Sequence, residues 1–401
     1  MTLISRKCNF AILSVVLVII GCLGIAESVI RIHNAFEKKR RKIWIPDPFI
    51  GYVHAPNNEF VWENKSLEEF SVHHKTNSLG LLGDEISIQK PAHVFRIIML
   101  GDSFTEALQI EKGKSFCKRL EKLLNENMAP GTERFEVLNA GVSGYSPIMQ
   151  YQYYKRKLSR LNPDLVILQM WTNDVFEDYK VAAMSVLDKE GLPTKINLFF
   201  NKKYINHSES AIKNLRFISF VYDLNNFLMD HSRFYEYMYG LFVRLNKNSP
   251  YNKKMTSQVE YDDGYQFSVI MSSCLGNHTQ RALANTEKYI LALKRIVEEN
   301  GSRFFVFYIP HEAQLALDHY SSHTTRYFSQ LPADTCIDDF LKEESQKQKF
   351  EFFDLLDTFE TNKQKKMFID YDGHLNEVGH EVVAQALFNF YQERGKGLGE
   401  K

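Results

Sequence analysis

Apolar and polar positions alternate along the middle of the chain in a way that separates strands from helices. Residues 95–100, 135–140 and 163–171 are short apolar runs, and each is followed by glycine or by polar side chains, as expected for buried parallel strands. Between the first two runs, residues 114–127 place apolar side chains on one helical face, and Pro147 marks the start of a second helical segment. This alternation predicts an α/β domain with a central parallel sheet.

The alternation resumes in the C-terminal part of the chain. Residues 284–301 predict a helix, residues 303–310 and 349–356 predict a fourth and a fifth strand, and residues 376–395 predict a final amphipathic helix. Residues 178–278 lack this rhythm and are rich in Tyr, Phe and Asn. We therefore predict that they form a mainly helical insertion that caps the edge of the sheet.

An uncharged apolar segment precedes the α/β pattern. Residues 8–26 carry no charged side chain, and at ~1.5 Å per residue a helix of this length nearly crosses a ~30 Å hydrocarbon core. A run without a polar face favours one transmembrane helix, with membrane lipid as its partner, over a buried core helix or a cleaved signal peptide. We predict a membrane anchor and basic stalk at 1–43, an extension at 44–93 that packs on the α/β domain, and the α/β domain itself at 94–395.

The composition argues against several classes of partner and cofactor. Lys and Arg total 49 and Asp and Glu total 49, so the chain has no excess positive charge that would favour nucleic acid. None of the five cysteines forms a C-x-x-C pair, and no G-x-G-x-x-G follows the first strand. We therefore expect no metal and no cofactor. Cys274 and Cys336 are able to pair if the domain is exported.

The predicted strands end in residues that suit serine-based acyl transfer. This chemistry needs a hydroxyl that attacks, an imidazole that takes its proton, a carboxylate that orients the imidazole, and fixed donors for the oxyanion. Ser103 follows the first strand, in the sequence Gly-Asp-Ser, at a turn that leads into a helix. Gly144 follows the second strand and Asn173 the third, and both offer an N–H donor. Because ligands bind beyond the carboxyl ends of parallel strands, we expect these residues to meet at one site.

The imidazole and the carboxylate are expected from a loop near the C-terminus. His374 stands there with Asp372 two positions before it and Asp370 four positions before it, and Gly373 lets the loop bend. His380 is the rival base, but it falls inside the predicted final helix.

Each of the other candidates also has a structural interpretation. Ser103 is able to cap the following helix, and Asn173 is able to serve as a turn residue. Gly141 competes with Gly144 as the backbone donor. His311 follows the fourth strand, so it faces the same edge, where we expect it to line the pocket rather than to catalyse.

Taken in order, these stretches resemble the sequence blocks of the SGNH/GDSL hydrolase superfamily. The resemblance covers residues 94–180 and 280–395, about half of the chain. It implies a three-layer, flavodoxin-like fold and a serine esterase that works through an acyl-enzyme without a cofactor. The site residues that it implies are a catalytic triad of Ser103, Asp372 and His374, and an oxyanion hole of Ser103, Gly144 and Asn173.

Two positions depart from the blocks of the superfamily. Trp171 stands where the third block usually has glycine. Tyr371 stands three residues before His374, where many members carry the catalytic aspartate. Asp372 then takes that role, in the D-x-H spacing that other members have.

The wider pattern is similar to that of a bacterial subgroup that is membrane-anchored and linked to surface polysaccharide. The similarity rests on residues 27–32, 77–85, 101–110, 139–146 and 163–174. It implies an esterase that removes small acyl groups, O-acetyl above all, from a glycan or a similar polar substrate. Two alternatives stay open, namely an O-acyltransferase that uses the same serine and a non-catalytic scaffold of a polysaccharide-export complex.

Charge and resemblance oppose each other on the side of the membrane. Basic residues at 38–42 follow the apolar run, and the positive-inside rule alone places the bulk of the chain in the cytoplasm. The subgroup that the chain resembles keeps its catalytic domain outside. We predict an extracytoplasmic domain on a single-pass anchor.

Overall fold

The chain divides into two compact units, one formed by residues 1–40 and 202–262 and the other by residues 41–201 and 263–401. All the strands and labelled helices below belong to the second unit. The computed structural model describes residues 18, 21–29, 43–64, 68–127, 134–196, 232, 234–235, 277–315, 317 and 336–395.

The second unit alternates strands and helices along the chain. Its strands are β1 (Trp44–Asp47), β2 (Gly51–His54), β3 (Glu59–Glu63), β4 (Ser71–Lys75), β5 (Val94–Gly101), β6 (Arg134–Gly141), β7 (Leu165–Met170), β8 (Ser185–Leu187), β9 (Pro193–Ile196), β10 (Arg303–Tyr308) and β11 (Glu351–Asp354). Its α-helices are α1 (Ser103–Glu106), α2 (Phe116–Asn127), α3 (Pro147–Tyr153), α4 (Asp174–Ala183), α5 (Asn277–Glu299), α6 (Cys336–Gln348), α7 (Leu356–Thr361) and α8 (Glu377–Gly395).

Five parallel strands form the central sheet, in the order β11-β10-β7-β5-β6. Counted along the sheet's own strands, this is the 2-1-3-4-5 order of flavodoxin-like folds. The α/β class and the central parallel sheet predicted from the hydrophobic pattern are therefore confirmed. All five predicted strands are present.

Helices cover both faces of this sheet. Ile97 and Met99 of β5 join an apolar cluster with α2 and α8, whereas Ile98 and Leu100 join a cluster on the other face with α3, α4 and α5. Successive side chains of a strand point to opposite faces, so a strand that is covered on both sides must be apolar at every position. This three-layer packing explains why β5 is a continuous apolar run in the sequence.

The strand order reverses between β5 and β7, because the chain runs from β5 to β6 on one side before it returns to β7 on the other. Ligands of open α/β sheets bind at such a switch point, beyond the carboxyl ends of the strands. Ser103 follows the end of β5, and Asn173 follows the end of β7. Two of the residues predicted from the sequence therefore lie at the switch point.

Two small antiparallel sheets precede the central one. β1 pairs with β2, and β3 pairs with β4. Ile50, Val53 and Leu81 from this part of the chain join the apolar cluster that contains Ile98. The extension therefore packs directly on the α/β core.

The predicted insertion at residues 178–278 lies mostly outside the described residues. Its described beginning comprises the end of α4 and the β8–β9 hairpin, where the Ile196 N–H donates to the Phe49 carbonyl at 3.1 Å. The helix predicted after the insertion is α5, which begins at Asn277.

The predicted transmembrane helix at residues 8–26 also falls largely outside the described residues. Residues 21–29, which the structure describes, are helical. Within the part of the chain that the structure describes, no helix combines the length and the apolarity needed to cross a bilayer. The membrane anchor therefore stays a prediction.

The cysteines differ in their bonding. Cys336, at the start of α6, is disulfide-bonded, and its partner lies outside the described residues, as does the predicted partner Cys274. Cys22 and Cys117 are free thiols.

Candidate active site

Ser103 is the first residue of α1, a one-turn helix that follows β5. The buried carboxylate of Asp102 caps this helix by accepting a hydrogen bond from the Phe104 N–H at 2.9 Å. The helix stops at Ala107, which has a left-handed conformation and donates its N–H to the Ser103 carbonyl at 3.0 Å. Since Asp102 serves as the cap, the hydroxyl of Ser103 is available to another partner.

His374 provides that partner and links Ser103 to Asp372. Its Nε2 lies 2.7 Å from Ser103 Oγ, and its Nδ1 lies 2.5 Å from Asp372 Oδ1. The loop bends at Gly373, whose φ of +83° lies in the left-handed region that favours glycine. The Ile369 N–H donates to the His374 carbonyl at 2.9 Å and closes the loop. The structure thus brings the three predicted triad residues together.

The carboxylate of Asp372 favours the protonated form of the imidazole. Burial lowers the pKa of His374, but the hydrogen bond and the charge of Asp372 outweigh it and raise this pKa above its usual 6.5. Asp102 and Glu106 add smaller contributions in the same direction. Burial raises the pKa of Asp372, yet the contacts with His374 and a hydrogen bond from Gln109 bring it below 3.8. The pair is therefore poised as an imidazole base beside an ionised acid.

The rival residues in this region have other partners. Asp370 forms an ion pair with Lys366 at 2.7 Å near the surface. His380 is buried in α8, where its Nδ1 accepts a hydrogen bond from the Phe116 N–H at 3.2 Å. Burial lowers the pKa of His380 to about 3, so this histidine is neutral and structural.

Three N–H donors follow the ends of β5, β6 and β7. Within the described residues, the backbone N–H of Ser103, the backbone N–H of Gly144 and the side-chain amide of Asn173 donate no hydrogen bond. Gly144 has a φ of +75°, which favours glycine. Gly141, the rival donor, donates its N–H to Asn139 Oδ1 at 3.0 Å. Gly144 is therefore the better candidate of the two.

Aromatic rings form a wall beside the imidazole. The Phe104 ring lies 5.0 Å from the His374 ring and 4.8 Å from Trp171, and Trp171 stacks on His311 at 5.3 Å. His311 is buried, and its Nδ1 accepts a hydrogen bond from the Ala313 N–H at 2.9 Å. The Trp171 indole is thus a packing element of this wall.

A buried acid shapes the loop after β7. Asp174 accepts a hydrogen bond from the Trp171 N–H at 2.6 Å, and this contact folds the turn that presents Asn173. Burial, together with the charge of Asp102, raises the pKa of Asp174 well above its usual range.

The sequence did not predict a second cluster, which is centred on Glu106, three residues after Ser103. Glu106 is buried, and its Oε1 lies 2.5 Å from His54 Nε2, while its Oε2 accepts the Ser143 N–H at 3.0 Å. Tyr52 donates its hydroxyl to the Ser143 carbonyl at 2.5 Å. The only signal in the sequence was an acid at the end of a four-residue helix, and this does not identify partners in β2 and after β6.

No group of three or more His, Cys, Asp or Glu side chains in the described residues is arranged to hold a metal ion.

The chain was compared with known proteins. No protein-family model matches it, and no curated protein matches it. Among solved structures, the chain is similar to TesA, with 10% identity, a TM-score of 0.37 and coverage of 74% of this chain and 98% of that one. It is similar to the acetyl xylan esterase AlAXEase, with 15% identity, a TM-score of 0.37 and coverage of 74% and 99%. A third similar structure is a putative lipolytic protein of the G-D-S-L family from Desulfitobacterium hafniense DCB-2, with 9% identity, a TM-score of 0.37 and coverage of 73% and 98%.

Proposed function

We propose that this chain is a serine esterase of the SGNH/GDSL type, which hydrolyses small acyl esters through an acyl-enzyme on Ser103. The observation that carries the proposal is the pair of contacts made by His374, 2.7 Å to Ser103 Oγ and 2.5 Å to Asp372 Oδ1. A hydroxyl, an imidazole and a carboxylate linked in this order are the parts that nucleophilic acyl transfer needs.

In the first half-reaction, Ser103 Oγ attacks the ester carbonyl and its proton moves to His374 Nε2. Asp372 accepts the hydrogen bond of Nδ1–H and stabilises the imidazolium, in agreement with the raised pKa of His374. The unused donors of Ser103, Gly144 and Asn173 stabilise the negative charge on the former carbonyl oxygen. When this intermediate collapses, the C–O bond breaks and the alcohol leaves with the proton from Nε2, while the acyl group stays on Ser103.

In the second half-reaction, a water molecule takes the place of the alcohol. His374 Nε2 removes a proton from the water as its oxygen attacks the acyl carbon. The same donors stabilise the second oxyanion. The carboxylic acid is released, and Ser103 Oγ recovers its proton from His374.

We further propose that the acyl group is acetyl and that the alcohol is a hydroxyl of a glycan. The support is the similarity of residues 27–32, 77–85 and 139–146 to the membrane-anchored subgroup linked to surface polysaccharide. A sugar hydroxyl in place of water would make the same site an O-acyltransferase. Incubation with an acetyl ester and a sugar acceptor separates the two reactions, because free acetate or an acetylated sugar accumulates.

The extracytoplasmic position of the domain is part of the same proposal. The disulfide bond of Cys336 supports it, because disulfides persist in oxidising compartments and are rare in the cytosol. Alkylation of the denatured protein immediately after cell lysis should label Cys336 only after reduction. Labelling of Cys336 without reduction would contradict the assignment.

The serine mechanism is tested with the full chain, p-nitrophenyl acetate as substrate and a fluorophosphonate as a covalent probe. We expect turnover, and we expect mass spectrometry to locate the probe on Ser103. Both should be lost in Ser103→Ala with an unchanged thermal unfolding midpoint. Turnover that survives in the folded Ser103→Ala protein would overturn the proposal.

A further inference from the structure

We infer that Tyr52 and Glu106 hold the peptide bond between Ser143 and Gly144 in the orientation that makes the Gly144 N–H an oxyanion donor. The inference rests on the proposed function, because that function gives this N–H its task. Tyr52, His54, Glu106 and Ser143 are called the clamp below. The β1–β2 hairpin is then part of the working site, through Tyr52 and His54 of β2 and through Trp44 of β1.

Glu106 is the centre of the clamp. Its side chain is fully buried, and a buried carboxylate is costly unless donors surround it. His54 Nε2 at 2.5 Å and the indole N–H of Trp44 at 3.2 Å meet Oε1. The N–H of Ser143 at 3.0 Å and the Ser143 hydroxyl donate to Oε2. One end of the carboxylate is therefore fixed by the hairpin, and the other end fixes the backbone just before Gly144.

The orientation of the Gly144 N–H follows from the partners of Ser143. A trans peptide unit is planar, so the N–H of a residue points opposite to the carbonyl of the residue before it. The Ser143 carbonyl is held by the Tyr52 hydroxyl at 2.5 Å. The Gly144 N–H must therefore point away from Tyr52. The bond from the Ser143 N–H to Glu106 fixes the preceding peptide unit, on the other side of the Ser143 Cα, so that the Ser143 backbone is held from both sides.

Tyr52 is itself held as a hydrogen-bond donor. Burial raises the pKa of its phenol, with further contributions from the charges of Glu106 and Glu177, so the hydroxyl keeps its proton. The hydroxyl of Tyr145 donates to the Tyr52 carbonyl, and the two rings pack edge to face at 5.4 Å. A side chain built on Gly144 would place its Cβ 2.9 Å from the Tyr52 hydroxyl. The Tyr52 hydroxyl thus leaves no space for a side chain at position 144, so the turn requires glycine there.

Both oxygens of Glu106 are occupied, so this carboxylate has no place in proton transfer to substrate. Tyr52 likewise donates its hydroxyl hydrogen to the Ser143 carbonyl. Both are positioning residues, which act through the Gly144 N–H. Loss of such a residue should lower transition-state stabilisation and leave ground-state binding nearly unchanged.

The test compares Tyr52→Phe with Tyr289→Phe in the full chain. Tyr289 lies in α5, and its buried hydroxyl has no hydrogen-bond partner among the described residues, so Tyr289→Phe is a matched loss of one buried hydroxyl. With p-nitrophenyl acetate, we expect Tyr52→Phe to lower kcat about tenfold to a hundredfold with KM changed less than twofold. Tyr289→Phe should keep the kcat of the unmodified protein.

Two further measurements separate positioning from a general loss of structure. The affinity for phenylboronic acid, which forms a tetrahedral adduct with a catalytic serine, should fall in Tyr52→Phe by the same factor as kcat/KM. Glu106→Gln should also lower kcat, as Tyr52→Phe does, since an amide offers only one acceptor oxygen where the carboxylate has two. An unchanged kcat in Tyr52→Phe, or a loss that appears in KM alone, would overturn the inference even if Glu106→Gln fails to fold.

Ser103→Ala and Asn173→Ala are measured beside these variants. If both lose turnover while Tyr52→Phe keeps it, the inference fails and the proposed function stands. If folded Ser103→Ala keeps turnover, the proposed function fails and the inference falls with it.

Discussion

Two histidine–carboxylate pairs in the described part of the chain have the same short contact and opposite surroundings. His374 Nδ1 lies 2.5 Å from Asp372, and His54 Nε2 lies 2.5 Å from Glu106. The first pair is partly open to solvent, with 24% of the His374 side chain exposed, whereas the side chains of the second pair are 1% and 0% exposed.

The two pairs differ in the third group that each contacts. In the first pair, the free ring nitrogen of His374 meets the hydroxyl of Ser103, so the pair is arranged to move a proton. In the second pair, the other carboxylate oxygen of Glu106 accepts a hydrogen bond from the backbone N–H of Ser143, so the pair is arranged to fix a loop. A histidine paired with a carboxylate is therefore suited to act as a base or as an anchor, depending on the third group that the pair contacts.

The largest expected effect separates the two histidines. His374→Gln removes the base and should lower kcat by about 10⁴–10⁶-fold on p-nitrophenyl acetate. His54→Gln keeps the base and weakens only the support of Glu106, so its loss should be at least a hundredfold smaller than that of His374→Gln. Steady-state kinetics on the two purified proteins, with circular dichroism as the folding control, checks this. Equal losses in two folded proteins would abolish the distinction between base and anchor.

The next effect separates the two aspartates near His374. Asp372→Asn should lower kcat by about 10³–10⁴-fold, because the imidazole loses the charge that stabilises its protonated form, and the amide NH₂ is able to donate to Nδ1 and favour the wrong tautomer. Asp370→Asn is the matched control, since Asp370 pairs with Lys366, and its kcat should stay within about twofold. A strong effect of Asp370→Asn with a weak effect of Asp372→Asn would reassign the orienting role.

A smaller effect is expected at the oxyanion donors. Asn173→Ala should lower kcat by about 10²–10³-fold with little change in KM, because the amide acts on charge that develops only in the transition state. Initial rates over a range of p-nitrophenyl acetate concentrations give both constants. A rise in KM alone would show that Asn173 binds substrate and does not stabilise the oxyanion.

The first pair was predictable from the sequence and the second was not, for a physical reason. Asp372 and His374 lie in one short loop, and Ser103 follows a continuous apolar strand, so local pattern and strand order were enough to propose that Ser103 and His374 meet. The choice of Asp372 over Asp370 came from the D-x-H spacing that the resemblance implies. The clamp joins β2, α1 and the loop after β6, which are distant in sequence, and its members look like ordinary strand and helix residues. Whether Glu106 is buried among donors depends on how a hairpin packs, and periodicity carries no information on that.

The oxyanion donors stand between these two cases. Asn173 and Gly144 were located by the ends of predicted strands, which the observed sheet order brings to neighbouring positions. The choice of Gly144 over Gly141 needed the hydrogen bond from the Gly141 N–H to Asn139, which is a side-chain contact within the turn. The capping role left open for Ser103 belongs to Asp102, and this too became visible only from side-chain geometry.

The smallest effect is a displacement of the pH profile, and it distinguishes the pairs without relying on the size of a rate. Only neutral His374 accepts the proton of Ser103, so kcat/KM should fall as the pH drops through the pKa of His374 in the free enzyme. That pKa is raised above 6.5 mainly by Asp372, with Asp102 and Glu106 as the other acids that act on it, so the acid limb should lie above pH 6.5.

Asp372→Asn removes the main stabiliser of the imidazolium and should move the limb to lower pH. Tyr52→Phe removes no charge and should lower the plateau while the limb stays in place. Profiles of kcat/KM on p-nitrophenyl acetate from pH 5 to pH 9 check both statements. A limb that stays in place in Asp372→Asn would show that the titrating base is not His374, and a limb that moves in Tyr52→Phe would show that the clamp acts on the proton and not on the oxyanion donor.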